Sequence, residues 1–171
     1  MIVVSDTSPL NYLVLIERTH VLPVLFGRVV APPAVITELR HPGAPAVVRA
    51  WAACPPAWLE IRPPIRIDPT LGLGTGETEA ISLAQELHAD AVLIDERRAL
   101  TIARKAGLFV TGTLGVLVIA AERSLIDIVQ AVAASTQTTF RVSDEVLDEL
   151  LQREADRQRP RSDGSDNGVR Q

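Results

Sequence analysis

Ile2-Val3-Val4-Ser5-Asp6-Thr7-Ser8-Pro9-Leu10 is the stretch that decides the fold. Three apolar residues run straight into a polar turn, which predicts a buried strand that stops and opens a helix. Ser8 followed by Pro9 predicts the helix N-cap and first helical position, because proline lacks only an N–H that would be unpaired there. On that reading the cap is supplied without Asp6. The Asp6 carboxylate is left at the carboxyl end of a strand, where open α/β sheets place their sites. A structural role for Asp6, capping or bracing the turn, is the competing reading. Its partners further along the chain decide between the two.

The same pattern recurs in Ala91-Val92-Leu93-Ile94-Asp95, a second apolar strand that ends in an acid. Between and after these strands, helical patterns are predicted over 10–16, 21–26, 33–39, 44–53, 77–88, 96–106, 112–122 and 125–134. Gly27 and Gly107 stop two of them. Further strands are predicted over 28–31 and 108–110, and two short edge pieces over 58–61 and 65–67 in a proline-punctuated excursion. Residues 71–76 read as a flexible glycine loop. Ser143 is expected to cap a last helix through Gln152, with Leu147, Leu150 and Leu151 apolar. Strands alternating with helices predict a three-layer α/β/α sandwich around a mostly parallel central sheet. One domain is expected over 1–152, followed over 153–171 by a polar, disordered tail with little to bury.

Composition agrees with an ordinary globular chain: 171 residues, 47% apolar and 22% charged. The net charge of −4 means that there is no overall basic field for nucleic acid. A local basic patch can still coexist with metal-binding acids. The single cysteine, Cys54, excludes an intramolecular disulfide and a cysteine-rich zinc site. It reads as a small packing residue in a reducing compartment. The N-terminus shows no basic region before an apolar segment, and the longest apolar run, 116–121, is too short to span a bilayer. A cytoplasmic protein without membrane attachment is the expectation.

The chemistry lies in the acids. Parallel strands in one sheet bring Asp6 and Asp95 to the same edge. Glu38 sits on a helix that follows another strand, and Glu77 and Glu79 lie in the first turn after the glycine loop. Clustered carboxylates repel unless a cation compensates them. Oxygen donors without Cys or His point to Mg²⁺ or Mn²⁺. Each acid also has a plain structural reading. Asp95 would cap the helix that starts at Glu96. Glu77 and Glu79 would complement a helix dipole, worth about 0.3–1 kcal/mol per charge. Glu38 would be solvated. His20, His41 and His88 share no spacing and read as surface residues. Arg97, Arg98, Arg104 and Lys105 read as a solvated helix face. The loop from Gly72 to Glu77 lacks the lysine of a phosphate-binding loop and the strand that a dinucleotide fingerprint needs before it.

Five segments taken in order carry a family resemblance: Val4-Ser5-Asp6-Thr7-Ser8-Pro9-Leu10, Pro32-Pro33-Ala34-Val35-Ile36-Thr37-Glu38-Leu39, Gly76-Glu77-Thr78-Glu79-Ala80-Ile81-Ser82-Leu83-Ala84, Leu93-Ile94-Asp95-Glu96-Arg97-Arg98-Ala99 and Gly112-Thr113-Leu114-Gly115-Val116-Leu117. Over roughly residues 1–150 the chain resembles a prokaryotic subgroup of PIN-domain proteins related to the VapC-like toxins. That resemblance implies a PIN fold and a Mg²⁺- or Mn²⁺-dependent ribonuclease leaving 3′-hydroxyl and 5′-phosphate ends. By motif, Asp6, Glu38, Glu79 and Asp95 match the family's four acids. Asp6, Glu79 and Asp95 would hold one or two metal ions, and Glu38 would position a metal-bound water. Glu96 stands where many members carry a second Asp, and would assist the metal or merely start its helix. Thr7, Ser8 and Thr113 are candidate contacts to metal water or phosphate. Arg40, Arg97 and Arg98 are candidates for the RNA backbone.

Three functions compete on this evidence. The first is a metal-dependent endoribonuclease, as the toxin of a toxin–antitoxin pair or in RNA processing, with an antitoxin protein and a second copy of the chain as partners. The second is a PIN-fold protein that binds RNA without cutting it. The third, a small-molecule phosphohydrolase, would want a second acid close after Asp6, and Thr7-Ser8 does not supply one.

Overall fold

In the computed structural model, residues 1–139 are described, and they form an all-parallel five-stranded sheet flanked by helices. Strands β1 (Ile2–Ser5), β2 (Arg28–Ala31), β3 (Leu59–Ile61), β4 (Ala91–Leu93) and β5 (Val110–Thr111) lie in the order β3-β2-β1-β4-β5. Helices α1 (Thr7–Leu15), α2 (Val21–Phe26), α3 (Pro33–Leu39), α4 (Ala46–Ala53), α5 (Thr75–Glu86), α6 (Arg97–Lys105), α7 (Thr113–Glu122) and α8 (Ile128–Thr136) alternate with them. The expected boundary near 152, the helix over 143–152 and the tail over 153–171 lie outside the described residues.

The strands are short and apolar because both of their faces are covered. Val4, Val30, Val92, Ile94 and Val110 pack in one cluster with Ala80, Ile81, Leu83 and Ala84 of α5 and Ala99 and Ala103 of α6. Alternation turns Val3, Val29 and Leu93 to the opposite face, and all three are fully buried. On that side α2 packs on β2, α7 on β5, and α1 on α7. Their inward residues, Leu10, Leu13, Val21, Leu22, Val116 and Leu117, are inaccessible to solvent.

The topology fixes where a site belongs. From β1 the chain moves to β2 and β3 on one side, then returns to β4 and β5 on the other. The crevice between β1 and β4 is therefore a topological switch point, where α/β sheets bind ligands at the strands' carboxyl ends. The register pairs Ser5 with Leu93, and the Asp6 N–H continues the ladder to the Leu93 carbonyl at 3.0 Å. Asp6 and Asp95 consequently leave adjacent strands at the same end.

Several expected elements shift. The first helix begins at Thr7, so Asp6 itself occupies the N-cap position, and Pro9 sits third in the helix. Proline is tolerated there because first-turn N–H groups have no intrahelical acceptor. Residues 65–67 form no strand. Pro63 and Pro64 cannot donate to a ladder, the Ile65 N–H turns instead to Glu86 Oε2 at 2.6 Å, and Ile65 and Ile67 are exposed. The last described helix starts at Ile128 rather than 125, since Asp127 caps it by accepting from the Val129 and Gln130 N–H groups. Cys54 is exposed at the end of α4, not packed. Among the described residues, no helix is long and apolar enough to cross a membrane.

Candidate functional site

Asp6 is the one acid among the described residues that is buried outright. It follows β1 in extended conformation and makes no side-chain cap bond to α1. It is 2% exposed, and its Oδ1 is buried with no hydrogen-bond partner among the described residues. A buried acceptor without a donor costs about 1–3 kcal/mol. Burial pushes the carboxyl up to about 7, against the pull of the Thr7 N–H, and the charges of Glu77, Glu38 and Asp95 push it further in the same direction. Helices α3 and α5 and the segment after β4 therefore each place a negative charge near enough to act on Asp6.

Glu38, near the end of α3, is held from two sides. The Thr7 hydroxyl donates to its Oε2 in a short hydrogen bond, and the Gly76 N–H donates to its Oε1 at 2.9 Å. Only glycine leaves room for this approach. A Cβ at position 76 would stand 2.7–2.9 Å from the Glu38 carboxyl atoms.

Asp95 is not the cap of α6. Its Oδ1 accepts from the Thr113 N–H at 2.7 Å, and its Oδ2 from the Thr113 hydroxyl at 2.6 Å. Burial raises its pKa, and the two Thr113 bonds oppose the rise. Glu96 takes the capping role instead, accepting from the Ala99 N–H at 2.7 Å. Its own pKa is lowered by the Arg98 and Ala99 N–H groups. Glu96 is exposed and starts its helix.

The glutamates of α5 divide. Glu77 accepts from the Gly74 N–H at 2.9 Å and stands first among the charges that act on Asp6. Glu79 accepts from the Ala34 N–H at 3.2 Å, in the first turn of α3. It lines an open groove of about 450 Å³ with Pro33, Ala34, Thr37, Glu38 and Thr75. The charges of Glu77, Glu38 and Asp95 thus bear on Asp6, while Glu79 is bonded to the first turn of α3 and shares its groove with Glu38.

The remaining candidates sort by what they touch. Thr7 and Thr113 hold Glu38 and Asp95, so both hydroxyls serve the acids. Ser8 lies half-buried in the first turn of α1. Arg40 is tied into the fold, donating from Nε to the Ala52 carbonyl at 2.8 Å. Arg97 and Arg98 are exposed at the start of α6. Sequence reading missed Gly76 and Gly112 as cradles for carboxylates, although the glycine in each motif was the available signal.

Among the described residues, no three Asp, Glu, His or Cys side chains are already closed around a cation position. The donor set nonetheless fits a hard divalent ion. It is all oxygen, it concentrates negative charge on a buried carboxylate, and it leaves Asp6 Oδ1 without a proton donor.

Comparison with known proteins bears on the family. The family model for DUF3368, described as a PIN domain, matches residues 2–156. A PilT N-terminus domain protein from the hyperthermophilic archaeon Sulfolobus solfataricus P2 is similar in structure, with a TM-score of 0.43 and 14% identity. That match covers 84% of this chain and 100% of the other. No curated protein matches.

Proposed function

This chain belongs to the PIN-domain family, and we propose that its acidic crevice is the site of a metal-dependent endoribonuclease that cuts RNA phosphodiester bonds. The observation that carries the reading is Asp6: a buried carboxylate with an unpartnered oxygen, faced by Glu77, Glu38 and Asp95. A chain does not hold such a group for stability, because burial and like charge both disfavour its ionised form.

Asp6, Glu77 and Asp95 would hold Mg²⁺ or Mn²⁺, with Glu38 beside them. When bound, the ion supplies a water of lowered pKa and offsets charge on the phosphate. The chain's own groups pre-position this set. Thr113 fixes both Asp95 oxygens, and Gly76 and Thr7 fix those of Glu38. Glu38, exposed at the rim, would orient the water. Held donors need no rearrangement as charge develops, which is where electrostatic catalysis gains most.

The test is cleavage of a mixed-structure RNA with Mn²⁺ or Mg²⁺, beside an EDTA control. Glu77→Gln is expected to lower metal-dependent cleavage by about 30-fold, roughly 2 kcal/mol of transition-state stabilisation. Glu79→Gln keeps an acceptor for the Ala34 N–H and is expected to cost several-fold less. The reverse ranking would support Glu79 as the third acid, as the family resemblance implies. RNA binding by folded, metal-bound protein without cutting would favour the non-catalytic reading, in which Thr113 engages Asp95 as a structural group. A toxin role, with an antitoxin partner, belongs to the same proposal. It requires that expression of the wild-type chain arrest growth and that Asp6→Asn not do so.

A further inference from the structure

Arg98 stands where its own helix disfavours it. It lies with Arg97 in the first turn of α6, and a cation at a helix N-terminus opposes the macrodipole. Its charge acts through space on Glu96, but the salt bridges among the described residues are Arg28–Glu60 and Arg62–Glu86, and Arg98 joins neither. Its guanidinium lies instead against Gly72. A Cβ at position 72 would come within 3.2 Å of Arg98 Nη2.

That contact is built from both sides. Gly72, at φ +62°, closes the short turn Pro69–Leu71 in a left-handed conformation that glycine adopts without strain. Leu71 and Leu73 flank it and pack against the same core cluster that takes Ala99 and Leu100 of α6. The loop and α6 thus share one apolar cluster, and the bare Gly72 lets the Arg98 guanidinium lie close against the loop. Two residues beyond Gly72, Gly74 holds Glu77. Three residues before Arg98 stands Asp95. Arg98 thus connects the two chain segments that carry Glu77 and Asp95.

A crevice of carboxylates repels a polyanion, so strand binding needs a fixed cation close by. Arg40 and Arg49 spend donors on backbone carbonyls, whereas Arg98 forms no salt bridge among the described residues. We propose that Arg98, seated against Gly72, binds a backbone phosphate of the RNA strand beside the bond to be cut, a role that Arg97 does not share. The proposal rests on the ribonuclease reading. A guanidinium suits this role because its forked donors match a phosphate in two-point contact.

The test separates binding from cutting. A labelled single-stranded RNA is titrated with the Asp6→Asn protein in Mg²⁺, over about 50–200 mM salt, with and without Arg98→Ala, Arg97→Ala or Gly72→Ala. Loss of one phosphate contact is expected to flatten the salt slope by about 0.7 and to weaken binding about tenfold for Arg98→Ala. Gly72→Ala, whose methyl would press on the guanidinium and strain the left-handed turn, should move both in the same direction by a smaller amount. Arg97→Ala should leave both nearly unchanged. In the cleaving protein, Arg98→Ala should raise KM about tenfold more than it lowers kcat. An unchanged slope for Arg98→Ala, or equal losses for Arg97→Ala, overturns the proposal, as does a wild type that binds no RNA. If the wild type binds RNA and never cuts, the slope still decides the role of Arg98 while the nuclease reading falls.

Discussion

Asp6→Asn is expected to reduce metal-dependent RNA cleavage by about 10³-fold, roughly 4 kcal/mol, and to stabilise the metal-free protein. The two effects have one cause. A carboxyl whose ordinary pKa is 3.8 titrates near 7 in the folded chain, so between those values the folded state binds the proton more tightly than the unfolded state. Stability then falls as pH rises from about 4 to about 7 and is flat above, at a cost of about 4 kcal/mol from this group. Burial raises Asp95 too, with the same sign. An amide cannot ionise, but it keeps an unpartnered oxygen, so about half the cost should be recovered. Above pH 7, in EDTA, Asp6→Asn should melt about 5 °C higher than wild type, and the gap should close near pH 4. Adding Mn²⁺ should raise the wild-type melting temperature and leave the variant unmoved, because only a ligand of the folded state stabilises it. A variant that melts lower than wild type at pH 8 in EDTA would make Asp6 a brace of its turn.

The chain announces this site through position more than through residue type. Apolar runs that end at Asp6 and Asp95 predict parallel strands, and parallel strands place both acids at one edge. Glycine stops after α2 and α6 predict their ends because Gly27 and Gly107 take positive φ. Side-chain direction is what pattern leaves open. Glu77 and Glu79 lie two residues apart on one helix, about 200° around its axis, so they face different neighbours. Whose charge bears more on Asp6 depends on how α5 lies across β1 and β4, a tertiary fact. Ser8-Pro9 is a sound local cap signal, yet the chain turns helical two residues earlier. The Asp6 N–H pairs with Leu93, which extends the strand ladder to the helix boundary. At Ile65, burial was unavailable beyond the two prolines, so an apolar residue alone did not make a strand.

Gly112→Ala is expected to cost about 10²-fold in cleavage without removing a single donor or acceptor. A Cβ at position 112 would stand 2.5 Å from Asp95 Oδ1 and 3.2 Å from the Ile94 carbonyl oxygen. The carbonyl belongs to the backbone beside β4, whose Ile94 N–H is paired to Thr111, and cannot retreat. Asp95 must then leave its seat and lose the two Thr113 bonds that fix it. Displacing a positioned group by about 1 Å carries a penalty of this size. Gly115 plays a parallel part, because a Cβ there would collide with the Thr111 hydroxyl. In the Gly112-Thr113-Leu114-Gly115 segment, Gly112 leaves room for Asp95, Thr113 gives it two donors, and Gly115 leaves room for Thr111. Thr113→Ser and Thr113→Val separate positioning from folding. Serine keeps the hydroxyl and should hold activity within a few-fold, whereas valine preserves the shape of a fully buried side chain and removes one donor. Thr113→Val should lower kcat about tenfold while leaving KM near wild type, and should weaken the stabilisation by Mn²⁺. Equal activity in the serine and valine variants, measured at matched folding by circular dichroism, would show that Asp95 does not need its hydroxyl partner.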